Sequence, residues 1–174
     1  MFTVFTIGHS TRTAMEFIAL LQGVAVDLLV DVRSIPRSRA NPQFNADVLA
    51  QSLADAGIGY RHLAALGGLR RRGKAAEPSP NTLWRVASFR NYADYAATTA
   101  FRAGLDELLA LARDHRCAIM CAEAVWWRCH RRIIADYLLQ QGVAVRHVMG
   151  PNKVEPATLT PGAKPQSDGT IVYR

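Results

Sequence analysis

Segments with the residue pattern of strands alternate with segments that have the period of helices, and this alternation is the strongest constraint on the fold. The strand-like segments cover residues 2–7, 26–32, 58–63, 117–121 and 143–149. The helix-like segments cover residues 13–23, 46–56, 101–114 and 129–141. The alternation predicts an α/β domain of three layers, with an open, mostly parallel sheet of about five strands and helices on both faces.

The chain is long enough for one domain followed by a short tail. Of its 174 residues, 49% are hydrophobic and 20% are charged, an ordinary balance for a globular domain. We expect a single α/β domain over residues 1–150, with residues 66–91 as an inserted loop or lid. Residues 151–174 are rich in proline, and we expect them to form a tail that packs on the domain.

Charge and cysteine content bound the partners and the compartment. The net charge of +7 comes mainly from arginine, which binds phosphate and carboxylate oxygens in pairs. Nucleic acid is therefore a predicted partner, although an arginine-rich genome would give the same composition. No apolar run reaches the roughly 18 residues of a membrane span, and the first residues lack the features of a signal peptide. With only three cysteines, which indicate reduced thiols or metal ligands, we expect a cytoplasmic protein without membrane association.

Polar and reactive side chains follow three of the predicted strands. Because the carboxyl ends of parallel strands lie at one edge of a sheet, where ligands bind, we expect these side chains to lie close together. They are His9 and Ser10 after the first strand, Asp31 and Arg33 after the second, and Cys121 and Glu123 after the fourth.

Four residues at these strand ends are candidates for catalysis: Glu123, Asp31, Cys121 and His9. Glu123 is the first choice for a general acid or base, or for activating water, and Asp31 is the second. Each carboxylate has an alternative role as the ion-pair partner of a neighbouring arginine. Cys121 is a candidate nucleophile, because an adjacent arginine or a helix N-terminus lowers a thiol pKa. The alternative for Cys121 is a small buried thiol without a chemical role.

A larger set of basic, aromatic and hydroxyl side chains is predicted to bind substrate. Arginines would hold phosphates, and exposed tryptophans would stack on bases. A solvated basic loop and tryptophans packed in the core are the alternatives. The set comprises Ser10, Arg33, Arg37, Arg70, Arg71, Arg72, Trp126, Trp127, Arg128, His130 and Arg131.

Neither a metal nor a cofactor is predicted. A zinc site built from this chain would take its four ligands from Cys121, Cys129, His130 and His9. The C-x2-C pairs of common zinc sites are missing, however. In the competing interpretation, Cys129 packs in the core and His130 bonds to a loop carbonyl or carboxylate.

A series of short motifs, in order along residues 3–149, resembles the domain of unknown function 488 family. These motifs are Thr6-Ile-Gly-His-Ser10, Asp31-Val-Arg-Ser-x-Pro36, Phe44-Asn45, Gly57-Ile-x-Tyr60, Leu66-Gly-Gly68, Phe89-x-x-Tyr92 and Cys121-x-Glu123-x5-Cys129-His-Arg131. The resemblance implies a small cytoplasmic α/β domain. The family motifs fall on His9, Ser10, Asp31, Arg33, Cys121, Glu123, Cys129, His130 and Arg131.

The resemblance and the residues together leave several functions open. Some members of the family look linked to recognising or excising modified bases in DNA, which agrees with the basic charge. DNA binding, with recognition or excision of a modified base, is therefore the first hypothesis. The second is a Cys121-dependent enzyme that acts on a small anionic or sulfur-bearing substrate. The third is a metal-binding or non-catalytic binding module. Whether the protein is an enzyme, and its oligomeric state, are left open.

Overall fold

A computed structural model describes residues 2–71 and 77–174 of the chain. Within these residues, five α-helices accompany the strands: α1 (Ala14–Gly23), α2 (Ala46–Asp55), α3 (Ala87–Ala96), α4 (Thr99–Asp114) and α5 (Arg131–Gln140). The strands of the main sheet are β1 (Thr3–Gly8), β2 (Leu28–Asp31), β3 (Gly59–His62), β4 (Cys117–Cys121), β5 (Ala144–Gly150) and β6 (Lys153–Pro156). A separate hairpin consists of β7 (Ala163–Pro165) and β8 (Ile171–Tyr173).

The main sheet has six strands in the order β3-β2-β4-β1-β5-β6. The first five are parallel to their neighbours, and β6 is antiparallel to β5. The predicted α/β class and the mostly parallel sheet are confirmed. The sixth strand comes from the C-terminal segment, where the sequence predicted an extended tail.

Helices cover both faces of the sheet, which gives the three layers. Neighbouring residues of a strand point to opposite faces, so Val4 joins the core beneath α3, α4 and α5, while Phe5 joins the core beneath α1 and α2. Ile119 and Met120 divide between the two cores in the same way. Because β2 and β4 are buried along their whole length, their sequences read as continuous apolar runs rather than as alternating ones.

Two segments differ from their predicted structure. The helix expected over residues 129–141 begins only at Arg131, because Trp126–Arg128 forms a 3-10 turn and Cys129 is extended. The segment 66–91, expected as a loop or lid, contains a 3-10 turn at its start and the first turn of α3. Of its arginines, Arg72 lies outside the described residues.

The C-terminal residues pack on the domain through a buried tyrosine. Tyr173 donates a hydrogen bond from its hydroxyl to Asp136 Oδ2 at 2.8 Å, and its backbone N–H donates to Asn81 Oδ1 at 2.9 Å. The ring is fully buried, between the side chains of α3 and α5. The β7–β8 hairpin therefore closes one end of the larger core.

None of the helices in residues 2–71 and 77–174 is long and apolar enough to cross a membrane.

We predict that Tyr173→Ala lowers the free energy of unfolding by about 3–5 kcal/mol, because it leaves a cavity in the larger core. Tyr173→Phe keeps the ring and loses only the hydrogen bond to Asp136, so we expect a loss of about 1–2 kcal/mol. Urea denaturation followed by circular dichroism measures both. Arg174→Ala, at an exposed neighbouring position, serves as the control. Equal stability of Tyr173→Ala and wild type would show that the hairpin does not stabilise the domain.

Candidate functional site

The carboxyl ends of β1, β2 and β4 meet at one edge of the sheet, as the sequence predicted. Gly8 lies beside Cys121 in the parallel register, and the N–H groups of His9 and Ser10 donate to the carbonyls of Cys121 and Ala122 at 2.9 and 3.0 Å. A pocket of about 350 Å³ opens at this edge. The predicted site residues that line it are Arg33, Arg37, Cys121, Glu123, Arg128 and His130, together with Cys129.

Two cysteines form part of the wall of this pocket. The Sγ atoms of Cys121 and Cys129 are 2.7 Å apart, well inside van der Waals contact. The Nδ1 atom of His130 lies 3.5 Å from the Cys129 sulfur, and the backbone N–H of Arg131 donates to the same sulfur at 3.4 Å. Cys129 therefore sits between a thiol, an imidazole and the first turn of α5.

The orientation of His130 is fixed by a hydrogen bond on its other nitrogen. Nε2 lies 2.7 Å from the carbonyl oxygen of Val32, so it carries a proton and donates. This bond turns Nδ1 toward Cys129 as an acceptor or, when the ring is charged, as a donor. The absence of a side chain at Gly68 leaves room for the His130 ring, because a Cβ at that position would lie 2.6 Å from His130 Nδ1.

The two thiols titrate as a pair, with their pKa values moved in opposite directions. Burial raises the pKa of both thiols. For Cys129, the hydrogen bond from Cys121 and the charges of His130 and Arg131 outweigh burial, and its pKa falls well below the ordinary value. For Cys121, the hydrogen bond and the charge of Cys129 add to burial, and its pKa rises. These opposite shifts favour a thiol at Cys121 and a thiolate at Cys129.

Arg131 is a buried cation beside this thiol pair. Its side chain is 1% exposed, and its guanidinium donates to Thr6 Oγ1 at 3.1 Å and to the Glu123 carbonyl at 2.7 Å. No carboxylate among the described residues forms an ion pair with it. Burial works against the charge, but the electrostatic attraction of Cys121 and Cys129 raises the pKa of Arg131. Its counter-charge is therefore the thiolate.

A buried chain of polar groups continues from Arg131 across the sheet. Thr6 Oγ1 accepts from Arg131, so its hydroxyl hydrogen donates to His147 Nδ1 at 2.6 Å. Burial and the nearby charge of Arg131 lower the pKa of His147 to about 4, which keeps the ring neutral. Trp126 stacks on His147 with ring centroids 4.5 Å apart. Trp126, predicted to stack on bases, thus stacks on this histidine instead.

Asp31 holds Arg33 rather than facing the pocket. Its side chain is fully buried, and it accepts from Arg33 Nε at 2.9 Å and Nη2 at 2.7 Å, as well as from the Tyr60 hydroxyl at 2.6 Å. His9 stacks on Phe44 with centroids 4.4 Å apart, and its Nε2 lies 3.4 Å from Arg33 Nη1. Burial lowers the pKa of His9, so this ring is neutral beside Arg33.

Charged side chains surround the mouth of the pocket. Glu123, Arg37 and Arg128 are all exposed there, and neither arginine forms an ion pair with a carboxylate among the described residues. Trp127 is 43% exposed next to Arg128. An anion that enters the pocket would therefore meet unpaired guanidinium groups.

Arg70 and Arg71, in the loop after Gly68, do not contribute to the pocket lining. Arg70 donates to the carbonyls of Gly67 and Ala64 at 3.1 and 2.8 Å, and its guanidinium lies 3.7 Å from the centre of the Tyr95 ring. Arg71 is exposed and does not line the pocket, and neither does the half-buried Ser10. Arg70 therefore connects the loop after Gly68 to α3 through its contact with Tyr95.

The four residues considered for zinc are not assembled into a metal site. Within residues 2–71 and 77–174, no group of three or more histidine, cysteine, aspartate or glutamate side chains is arranged to hold a metal ion. His9 directs Nδ1 to the Ser10 carbonyl at 2.8 Å, away from the thiols. His130 directs Nε2 to the Val32 carbonyl.

Fold and site together define an α/β domain with a buried dithiol at the carboxyl edge of a parallel sheet. The sequence matches a family described as domain of unknown function DUF488 over residues 13–138, well over half of the chain. The protein belongs to this family, and the resemblance seen in the sequence motifs is confirmed. No curated protein and no solved structure matches the chain.

The sequence predicts the correct edge of the sheet, but it does not single out two residues that shape the pocket wall there, Cys129 and Gly8. Cys129 was considered only as a metal ligand or a core residue, although the adjacent His130 was a signal for an activated thiol. Gly8 was not singled out, yet any side chain there would overlap with the Glu123 carbonyl oxygen. That carbonyl accepts from Arg131, so the close approach of the two backbones positions the thiol wall.

We predict that Gly8→Ala lowers the free energy of unfolding by about 1–3 kcal/mol or more, because two backbone segments must separate to admit the methyl group. Gly23→Ala is the matched control: a Cβ there meets nothing within 4 Å, so we expect unchanged stability or a gain of up to about 1 kcal/mol. Chemical denaturation of the two variants measures the contrast. Equal stability of both would mean that the β1 end and the Glu123 carbonyl are not in contact.

Proposed function

We propose that this protein is a thiol-dependent enzyme that acts on a small anionic substrate, with Cys129 as the nucleophile. The observation that carries the proposal is the contact of the Cys129 sulfur with Cys121, His130 and the N-terminus of α5, beside the buried cation of Arg131. A thiolate is the reactive form of cysteine, and these neighbours favour it. A pocket of about 350 Å³ has the size of a small-molecule site.

Each neighbouring group has a role in this proposal. His130 Nδ1 exchanges a proton with the sulfur or with the leaving group, since its other nitrogen is committed to Val32. Arg131 stabilises negative charge on the sulfur. Arg37 and Arg128, at the mouth of the pocket, bind the anionic part of the substrate.

The sequence pointed to Cys121 as the nucleophile, and the surroundings favour its neighbour. Burial and the neighbouring Cys129 raise the pKa of Cys121, which favours its protonated thiol. Cys129 instead contacts His130 and a helix N-terminal N–H, both of which favour the thiolate. Cys121 is then the hydrogen-bond donor that stabilises the nucleophile.

We predict that Cys129 reacts with iodoacetamide at pH 6 faster than free cysteine does, because the pKa of its thiol is lowered. The labelled positions are read by mass spectrometry across a pH series. Cys129→Ser abolishes the fast phase. Cys117→Ser is the matched control and leaves it unchanged, because burial raises the pKa of Cys117 to about 12 at the far end of β4. Labelling of Cys129 no faster than that of free cysteine at every pH would contradict the proposal.

A second candidate function is DNA binding, with recognition or excision of a modified base. The observation that favours it is the exposed Trp127, which precedes Arg128 in the chain, together with the presence of Arg128 and Glu123 in the pocket lining. In this proposal the arginines contact phosphates, Trp127 stacks on a base, and Glu123 activates water for its removal. A pocket of this size also accommodates one base.

The prediction for this candidate is a DNA affinity that falls with salt and depends on the pocket arginines. Replacing Arg37 and Arg128 by Glu should weaken binding and lower the slope of log affinity against log salt by about 2, since each phosphate contact contributes about 1. Replacing Arg113 and Arg146 by Glu changes the net charge equally at exposed positions outside the pocket lining. Equal losses in the two double variants, or no measurable binding at low salt, would reject this candidate.

A further inference from the structure

We propose that Cys129 and Cys121 form a redox pair, in which a hydroperoxide oxidises Cys129 and Cys121 converts the product into a disulfide. The inference rests on the proposed Cys129 thiolate and goes beyond it, because it assigns a reaction to both sulfurs. The two Sγ atoms are already 2.7 Å apart, so little movement separates the dithiol from the bonded state. Reactive cysteines that sense peroxide commonly lie next to a second cysteine of this kind.

The limited access to the two thiols favours a small oxidant. Cys121 and Cys129 are only 3% and 6% exposed, and both are reached through the pocket. A hydroperoxide is small enough to place an oxygen against a recessed sulfur. A peptide or glutathione disulfide has to bring a carbon-bearing sulfur into line with the attacking thiolate. The recessed position therefore favours the hydroperoxide over disulfide exchange.

The first step breaks the O–O bond. The Cys129 thiolate attacks one peroxide oxygen, and the other oxygen leaves as an alcohol or as water after taking the proton held on His130 Nδ1. The sulfur is oxidised to a sulfenic acid while the peroxide is reduced by two electrons. Arg131 holds the thiolate in place before the attack, through its N–H bond to the Cys129 sulfur.

The second step forms the S–S bond. The Cys121 sulfur attacks the sulfenic sulfur of Cys129, its thiol proton joins the departing hydroxyl, and water is released. In sum, two thiols and one hydroperoxide give one disulfide, one alcohol and one water. The seven residues between Cys121 and Cys129 contain no α-helix or β-strand, only the 3-10 turn Trp126–Arg128, so this segment can adjust without disturbing the core elements.

Oxidation of the two thiols to a disulfide would also change the charge balance at the carboxyl edge of the sheet. The disulfide carries no charge, so Arg131 would lose its counter-charge while remaining 1% exposed. An uncompensated buried cation is costly, and it would attract an anion or rearrange the wall of the pocket. Trp126 packs on His147 in the same polar chain, so its fluorescence should report such a rearrangement.

The experiment treats the reduced protein with hydrogen peroxide and maps the products after trypsin digestion. Cleavage after Arg116, Arg128 and Arg131 separates a peptide with Cys117 and Cys121 from the peptide 129–131. We expect these two peptides to become linked, with loss of two hydrogens, and to separate again on reduction. The same link in Cys117→Ser protein assigns the bond to Cys121. In Cys121→Ser protein, we expect a sulfenic acid on Cys129 that dimedone traps.

The outcomes separate this inference from the proposed enzyme. Fast alkylation of Cys129 with no linked peptide after peroxide would overturn the redox pair and leave the thiol enzyme standing. Slow alkylation of Cys129 together with a linked peptide would show that Cys129 is not a thiolate. It would also overturn the proposed order, in which Cys129 reacts with peroxide before Cys121 reacts with Cys129. A link to Cys117, or faster linkage by oxidised glutathione than by peroxide at equal concentration, would also overturn the inference. Circular dichroism checks that each variant is folded. The peptide map of the wild-type protein tests the inference even if a variant fails to fold.

Discussion

The buried guanidinium of Arg131 is the interaction on which the rest of the site depends. A cation that is 1% exposed must find hydrogen-bond acceptors and a negative charge inside the protein. Its acceptors come from two different elements, Thr6 on β1 and the Glu123 carbonyl after β4. Its negative charge comes from the thiol pair. The need to compensate one charge thus brings together a strand, a loop and the start of α5 in one wall of the pocket.

Two buried arginines lie at this edge, and they are compensated in different ways. Arg33 bonds to both carboxylate oxygens of Asp31, which also accepts from Tyr60, so this pair is neutral and fully satisfied. Arg131 has no such carboxylate partner among the described residues, and its charge acts on the sulfurs. As a result, Asp31 is committed to positioning Arg33, whereas the sulfurs of Cys121 and Cys129 provide the charge that compensates Arg131.

Much of the fold could be predicted from the sequence, because periodicity and strand-end chemistry are local properties. The strands and most helices follow from residue pattern, and the parallel order of the strands makes their carboxyl ends meet. Other features depend on contacts between distant residues. The pairing of His147 with Thr6 spans 141 positions, and it is the reason why Trp126 covers a histidine. The sixth strand is likewise stabilised by its partner β5 rather than by its own residue pattern.

The thiol pair also couples chemistry to folding stability through pH. The pKa of Cys129 is lowered by folding, so its contribution to stability is complete above the ordinary thiol pKa and is lost as pH falls through the lowered value. The pKa of Cys121 is raised, so above the ordinary value the unfolded state releases a proton that the folded state keeps, and stability declines. Between these limits the pair holds one proton and one charge. In that state the negative charge on the thiol pair compensates Arg131, so the most stable form of the site is the thiolate form that the proposed function requires.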